Sequence, residues 1–199
     1  MVHVCRLAQP GTVAVQVRER DLSGAALVEL ADRLRRVTRE FEQWLLINDR
    51  LDVAWMCEAD GVHLTERSVS ARHARALFAR RGEQIWISRA WHRARAVPDE
   101  VEGGPGAGFE ASVDAWVLSP VVEARKGAPA VGSTGLGEFV RRLAHSTEPL
   151  AAVYALGGVR AAAVQECLAA GAVGVAAIGA CYEEPAALLR ALGALRQGR

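Results

Sequence analysis

Short apolar runs and longer amphipathic stretches alternate along most of the chain. Eight of the apolar runs have the length and the branched or aromatic content that is typical of buried strands. These runs are Val2–Cys5, Thr12–Val17, Trp44–Ile47, Gly61–Leu64, Gln84–Ser88, Ser112–Leu118, Pro149–Leu156 and Ala172–Ile178. The pattern therefore predicts eight strands.

Amphipathic stretches separate most of these strands. Between Ser23 and Phe41, apolar residues recur at helical spacing, at Leu27, Leu30, Leu34 and Val37. Similar patterns occur in Ser70–Arg80, Leu136–His145, Val159–Ala170 and Glu184–Leu195. Such alternation implies parallel strands joined by right-handed crossovers, in a closed barrel or an open doubly wound sheet. Eight strands favour a single (β/α)8 TIM barrel of the α/β class.

Two connections depart from a regular barrel. Residues 7–11 are too few for the usual crossover helix, so we expect an abbreviated first βα unit. Residues 97–110 are rich in glycine, proline and acidic residues, and they predict a loop in place of a fifth helix. Ser23 and Ser70 are expected to cap helices, and Pro185 suits a first helical turn.

Length, charge balance, apolar runs and cysteine spacing limit the classes of protein to consider. The 199 residues suit one domain, 1–199, near the lower size limit of an α/β barrel. Because 24 basic residues balance 23 acidic ones, bulk charge argues against a nucleic-acid partner and leaves a small ligand. Apolar runs are too short for a membrane span and the start is unlike a signal peptide, so we expect a cytoplasmic protein. The four cysteines lack metal-site spacing and are expected to be free thiols.

Polar residues follow most of the predicted strands, where a barrel of this kind binds its ligand. The best candidates after the early strands are Gln16, Arg18, Arg20, Asn48 and Asp49. Glycine-rich turns after the last two strands expose backbone N–H groups, which attract phosphate. These turns contain Gly157, Gly158, Gly179 and Ala180.

An ordered set of motifs resembles the thiamine phosphate synthases and their relative, the thiazole tautomerase. The motifs are VQVRERDLSG (15–24), LLINDRLDVAW (45–55), DGVHL (60–64), SPVVEARKGAPAVG (119–132), YALGGV (154–159) and AAGAVGVAAIGA (169–180). The resemblance implies that hydroxymethylpyrimidine diphosphate and thiazole phosphate combine to give thiamine phosphate and pyrophosphate. It also implies magnesium and phosphate-bearing small ligands, and it is compatible with a homodimer. Charge balance and the short apolar runs predict neither nucleic acid nor membrane as a partner.

The resemblance assigns a role to each candidate. Gln16, Arg18 and Arg20 would contact the pyrimidine and the pyrophosphate, and Arg20 replaces the usual lysine. Asn48 would contact the same ligand, Asp49 would bind Mg²⁺, and Lys126 would meet the pyrophosphate. The four turn residues Gly157, Gly158, Gly179 and Ala180 would hold the thiazole phosphate.

Departures from the family pattern leave alternatives open. Ser68 stands where a synthase has its second magnesium carboxylate, although the neighbouring Glu66 could substitute. Pro120 stands where the tautomerase has its acid/base histidine, so His92 or Glu123 would have to replace it. The alternatives to a synthase are therefore a thiazole tautomerase and a catalytically weak protein that binds a thiamine-related phosphate.

Structural interpretations compete with the functional ones at several positions. Asn48 and Asp49 could cap the following helix, and the segment from Arg18 to Arg20 could be a solvated charge cluster. The paired glycines could form a plain turn. His63 alternates with apolar neighbours and is expected to point into the barrel as a core histidine.

Overall fold

Helices and parallel strands alternate in the computed structural model, which describes residues 1–92, 109–110, 112–125, 127–145 and 151–196. The strands are β1 (Ala14–Val17), β2 (Trp44–Asn48), β3 (Gly61–Leu64), β4 (Trp86–His92), β5 (Ala115–Ser119), β6 (Ala152–Leu156) and β7 (Gly174–Ala176). The helices are α1 (Val2–Leu7), α2 (Gly24–Glu40), α3 (Leu51–Met56), α4 (Ala71–Ala79), α5 (Gly132–Ala144), α6 (Val164–Ala169), α7 (Gly179–Glu183) and α8 (Pro185–Ala191), and a 3-10 turn (Ala161–Ala163) precedes α6. Within these ranges no helix is long and apolar enough to cross a membrane.

All seven described strands belong to one parallel sheet, and their order in the sheet is their order in the chain. Each strand is therefore followed by a connection that returns to the same end of the sheet, as right-handed βα units require. The carboxyl ends of all strands consequently lie at one edge, where a ligand site is expected.

The sheet curls strongly. Rings from alternate strands meet on its concave face: Trp44 of β2 lies 6.5 Å from Trp86 of β4, and Trp86 lies 6.4 Å from Tyr154 of β6. Strands separated by one neighbour would be about 9–10 Å apart in a flat sheet. Gly61 makes room between them, because a Cβ there would lie 2.7 Å from the Trp86 carbonyl oxygen.

The main core lies between the convex face of the sheet and the helices. It includes Ile47 and Leu64 from strands and Leu27, Phe78 and Leu136 from helices, all buried. A smaller cluster contains Val4, Ala8, Leu189 and Ala194, where the N-terminal helix packs against α8. Backbone bonds from Gln9 to Ala194 (2.8 Å) and from Arg196 to Leu7 (2.7 Å) tie the two terminal segments together.

The predicted first strand is wrong. Val2–Cys5 lies within helix α1, and the described residues form seven strands where eight were expected. Val4, Cys5 and Ala8 are the buried positions, a spacing that matches a helical face, and a four-residue apolar run cannot distinguish strand from helix. The parallel α/β sheet is confirmed, whereas the described residues do not complete an eight-stranded barrel, and no abbreviated βα unit precedes β1.

Most other elements agree with the pattern. Ser23 and Ser70 accept hydrogen bonds from the backbone N–H of Ala26 and His73, both at 3.3 Å, and Pro185 begins α8. Helix α3 was not predicted, and the predicted strand Gln84–Ser88 continues as far as His92. The glycine-rich stretch and Pro149 lie mostly outside the described residues. The cysteines are free, as expected.

Two aspartates at the N-terminal edge of the sheet make the same set of contacts. Asp60, just before β3, pairs with Arg35 of α2 at 2.5 and 3.0 Å and accepts the N–H of Leu45 at 2.7 Å. Asp114, just before β5, pairs with Arg75 of α4 at 2.5 Å and accepts the N–H of Ile87 at 2.6 Å. Each aspartate therefore joins a helix to the preceding strand, at the edge opposite the ligand end.

Candidate active site

Three predicted site residues form a hydrogen-bonded row across β1 and β2. The Gln16 amide donates to Asn48 Oδ1 at 3.2 Å, and the Asn48 amide donates to Asp49 Oδ2 at 3.1 Å. Val15 and Val17 are buried, whereas Gln16 between them is exposed. Because successive strand residues point to opposite faces, Gln16 lies on the concave face of the sheet. The row thus presents amide and carboxylate groups at the carboxyl ends of adjacent strands.

Backbone geometry fixes Asp49 at the end of β2. Its φ of 59° is a left-handed conformation, and its N–H donates to the His63 carbonyl of β3 at 2.9 Å. Aspartate tolerates this conformation better than most residues. Arg50, and neither Asn48 nor Asp49, is the N-cap of α3, and no side chain caps that helix. The capping interpretation of these residues is therefore wrong.

The loop after β3 supplies further partners to Asp49. Asp49 Oδ1 accepts hydrogen bonds from the Ser68 hydroxyl and from the Thr65 N–H at 3.2 Å. Ser68 also accepts from the Thr65 N–H at 2.7 Å. The Ser68 hydroxyl thus occupies one hydrogen-bonding site of this carboxylate. Ser68 is the position at which a synthase would have its second magnesium carboxylate.

The donor set at Asp49 bears on a divalent cation. Among the described residues no three His, Cys, Asp or Glu side chains lie close enough together to hold a metal ion. Glu66 does not join Asp49, because its Oε1 lies 3.1 Å from both the backbone N and the Nδ1 of His92. Mg²⁺ is commonly bound by one or two carboxylates together with substrate phosphates, so Asp49 suits a cation that shares a phosphate ligand.

Arg18 and Arg20 lie exposed in the loop that follows β1. The positive charge of Arg18 contributes to lowering the pKa of His63 in β3. Lys126 lies outside the described residues. Arg18 therefore acts electrostatically on His63, and both Arg18 and Arg20 have exposed side chains.

His63 lies beneath this row as a buried histidine, which confirms the expectation of a core position. The residue is 7% exposed, and its Nδ1 lies 2.8 Å from the hydroxyl of the buried Ser88. Burial lowers the pKa of His63 to about 4; Asp49 opposes the change, and Arg18 and His92 add to it. The imidazole is neutral at neutral pH, so the floor of the site carries no positive charge from this residue.

Glycines allow the loops after β5 and β6 to approach closely. Gly157 has a φ of 103°, and a Cβ there would lie 2.9 Å from the Pro120 Cα. Gly158 has a φ of 72° and is covered by the side chain of Glu123. Both positions favour glycine because of their positive φ and the close approach of the loop after β5, so they form a tight loop–loop contact.

An ion-pair cluster joins the loops after β6 and β7, where the predicted phosphate turns lie. Arg160 Nη1 is 2.7 Å from Glu183 Oε2 and 3.9 Å from Glu184 Oε1. Glu184 also accepts the Ala161 N–H at 3.2 Å. Gly179 lies against Glu183, since a Cβ at Gly179 would be 3.5 Å from its Oε1. Ala180 is buried in α7.

Three residues of the candidate site, Thr65, Ser88 and Arg160, were not predicted from the sequence. Thr65 and Ser88 gave no signal beyond their place in or after a strand, and Arg160 stood in an arginine-rich sequence in which single arginines carry little information.

Arg89 and Trp91 follow the predicted fifth strand, and in β4 they point to the convex face of the sheet, where the helices pack. Arg89 pairs with Glu110 at 2.9 Å, and Trp91 stacks on Phe109 with ring centroids 5.1 Å apart.

Comparisons with known proteins agree with these motifs. The family described as thiamine monophosphate synthase matches residues 3–181. A putative thiamine-phosphate synthase of Geobacter sulfurreducens is 38% identical over 176 residues, 88% of this chain and 76% of the relative. A putative thiamine-phosphate synthase 2 of Aquifex aeolicus is 31% identical over 87% of this chain and 84% of its own length. A thiamine phosphate pyrophosphorylase from Pyrococcus furiosus has the same fold, with a TM-score of 0.71 at 23% identity over 96% of this chain and 89% of that one.

Proposed function

Because the chain belongs to the thiamine monophosphate synthase family, we propose that it couples hydroxymethylpyrimidine diphosphate with thiazole phosphate to give thiamine phosphate and pyrophosphate. The observation that carries this proposal is the hydrogen-bonded row of Gln16, Asn48 and Asp49 at the carboxyl ends of β1 and β2. Amides that hold one another in place are suited to orienting a heterocycle and its diphosphate.

The reaction needs stabilisation of the leaving pyrophosphate. The bond between the pyrimidine methylene carbon and the diphosphate oxygen breaks, and the thiazole nitrogen then forms the new bond to that carbon. Negative charge grows on the departing oxygen, so preorganised positive groups lower the barrier. We assign this role to Arg18 and Arg20 in the exposed loop after β1, to Asn48 and to Lys126, and we assign contact with the pyrimidine to Gln16.

Magnesium fits this site only as a shared cation. Asp49 is the carboxylate that would hold it, together with oxygens of the pyrophosphate, and the bound ion would neutralise charge on the leaving group. Because Ser68 and Thr65 donate to Asp49 Oδ1, the carboxylate is already oriented before any cation arrives. We therefore expect magnesium to bind with the diphosphate substrate and only weakly to the free protein.

The thiazole phosphate is assigned to the turns after β6 and β7. Gly157, Gly158, Gly179 and Ala180 belong to these turns. Gly157 and Ala180 are buried and Glu123 covers Gly158, so the exposed Gly179 is where a phosphate would first meet a backbone N–H group. Residues 1–199 would act as one barrel-like domain, a proposal supported by the backbone bonds that tie the terminal segments together.

One observation favours a second candidate, a proton-transfer reaction of the thiazole tautomerase type. His92 at the end of β4 is held by Glu66, whose carboxylate lies 3.1 Å from Nδ1. A carboxylate that binds one imidazole nitrogen leaves the other available to take and return a proton. Under this alternative, the wild-type protein would isomerise the thiazole but would not couple the two substrates. His92→Gln would abolish the isomerisation.

The test is coupling activity of purified protein with both substrates and magnesium. We expect thiamine phosphate and pyrophosphate to form above the rate without protein, and Asp49→Asn to lower that rate by at least about ten-fold, because the carboxylate that would hold Mg²⁺ against the pyrophosphate is lost. Asp52→Asn is the matched control, since Asp52 is an exposed aspartate that pairs with Arg50 at 2.6 Å. No product from the wild-type protein, or equal rates in the two variants, would contradict the proposal.

A further inference from the structure

The loops after β6 and β7 share one exposed cation that is held by the chain's own carboxylates. Arg160, two residues beyond Gly158, extends to Glu183 in α7, the helix that begins at Gly179. Its guanidinium therefore bridges the two turns that are assigned to the thiazole phosphate. About half of each side chain of this pair remains accessible, with 54% exposure for Arg160 and 57% for Glu183.

Three carboxylates surround this guanidinium. Glu183 is bonded to it directly, Glu184 lies 3.9 Å away, and Glu123, which covers Gly158, acts on it through space. Together they raise the pKa of Arg160, chiefly through the hydrogen bond to Glu183. A phosphate that enters the turns would meet these negative charges as well as the cation.

We propose that Arg160 is a substrate-binding residue for the phosphate of the thiazole ligand, and that it exchanges Glu183 for that phosphate when the ligand binds. The inference rests on the proposed function, because it takes these turns as the phosphate site. Glu183 then acts as a competitor that holds the guanidinium between the turns while the ligand is absent.

The energetics permit the exchange. An exposed ion pair contributes little, since water screens it and two long side chains lose freedom. A phosphate monoester carries more charge than a carboxylate and offers several oxygens to the planar guanidinium, so its charge-assisted bonds are stronger. The ligand can therefore displace Glu183 without disturbing the buried core.

Opposite effects follow for the two partners. Arg160→Gln should weaken binding of thiazole phosphate by roughly three- to ten-fold, because a charge-assisted contact is lost at an exposed site. Glu183→Gln should tighten binding by roughly two- to five-fold, because it removes both the competitor and a repulsive charge. Arg160→Lys should restore part of the affinity, since it keeps the charge but loses the planar fork.

The matched ligand is the corresponding thiazole alcohol, which lacks the phosphate, and its affinity should not change in any of these variants. A matched protein control is Glu58→Gln, which breaks the exposed pair of Arg39 and Glu58 on α2 and the loop after α3. Dissociation constants of both ligands are measured by titration calorimetry on the full chain. Circular dichroism confirms that each variant is folded.

Loss of phosphate affinity in Arg160→Gln, with unchanged alcohol affinity, would support the inference. Equal effects on the two ligands, no effect, or a wild-type protein that binds the phosphate no better than the alcohol would overturn it. Coupling activity is recorded separately. If the affinity pattern holds while no thiamine phosphate forms, the proposed synthase function fails and the role of Arg160 stands.

Discussion

Acidification should destabilise the protein through His63. The ordinary pKa of a histidine is 6.5, and burial lowers that of His63 to about 4. The unfolded chain therefore binds a proton at a higher pH than the folded protein does. Between these two values the unfolded state holds more protons, so the free energy of unfolding rises with pH across this window and falls as the pH is lowered.

The size of the effect follows from the difference in pKa. The difference of about 2.5 between the two pKa values lowers the free energy of unfolding by about 3 kcal/mol when the pH lies below both values. At about pH 5, where the folded imidazole is still neutral, roughly 2 kcal/mol of stability should already be lost relative to about pH 8. The cause is desolvation of the ring among Ser88 and the strands around it, where a charged imidazole is poorly solvated.

The assay is urea unfolding of the wild-type protein and of His63→Asn at about pH 8 and about pH 5. Asparagine retains a group near the position of Nδ1 for Ser88 but does not titrate, so the variant should lose roughly 2 kcal/mol less on acidification. His3→Gln, at an exposed histidine, is the control and should behave like the wild type. Direct titration of the His63 ring by NMR gives a second measurement that does not depend on the stability of the variant.

Two results would refute the reasoning. A His63 ring that titrates above about pH 6 would show that the folded protein solvates the imidazolium well. An identical loss of stability on acidification in the wild type and in His63→Asn would show that other groups govern the pH dependence.

Two further substitutions test the fold that supports the site. Gly157→Ala should lower the free energy of unfolding by about 2–3 kcal/mol in denaturant titrations, because a Cβ would lie 2.9 Å from the Pro120 Cα at a φ of 103°; a loss below about 0.5 kcal/mol would contradict this close approach. Asp60→Ala should cost about 2–3 kcal/mol in the same experiment, since it leaves the largely buried Arg35 without its bidentate partner, and an equally small effect for Asp60→Ala and for Glu58→Ala of an exposed pair would contradict the assigned role.

Strand positions could be read from the sequence where burial on both faces produced an apolar run. Trp44–Ile47 and Gly61–Leu64 were predicted to within one residue for this reason. Short elements were ambiguous: six residues are enough for one helical turn and a half, so α1 resembled a strand and α3 gave no periodic signal. Their conformation follows from packing against distant elements, which a local pattern does not contain.

The candidate site was predictable to the extent that parallel strands place their carboxyl ends side by side. This rule alone suggested that Gln16, Asn48 and Asp49 lie together, and they form one hydrogen-bonded row. The partners of long loop side chains followed no such rule. Glu66 pairs with His92, and Arg160 pairs with Glu183, through loop conformations that only the folded chain specifies.

The repeated aspartate contacts at the N-terminal edge of the sheet separate stability from chemistry. Asp60 and Asp114 each join a helix to the start of a strand, and neither approaches the row that contains Asp49. Substitutions of Gln16 or Asn48 at the ligand end would therefore leave the contacts of Asp60 and Asp114 intact. A parallel sheet supported in this way can evolve, because its loops can acquire or lose a reaction while the contacts at the other edge keep each intermediate folded.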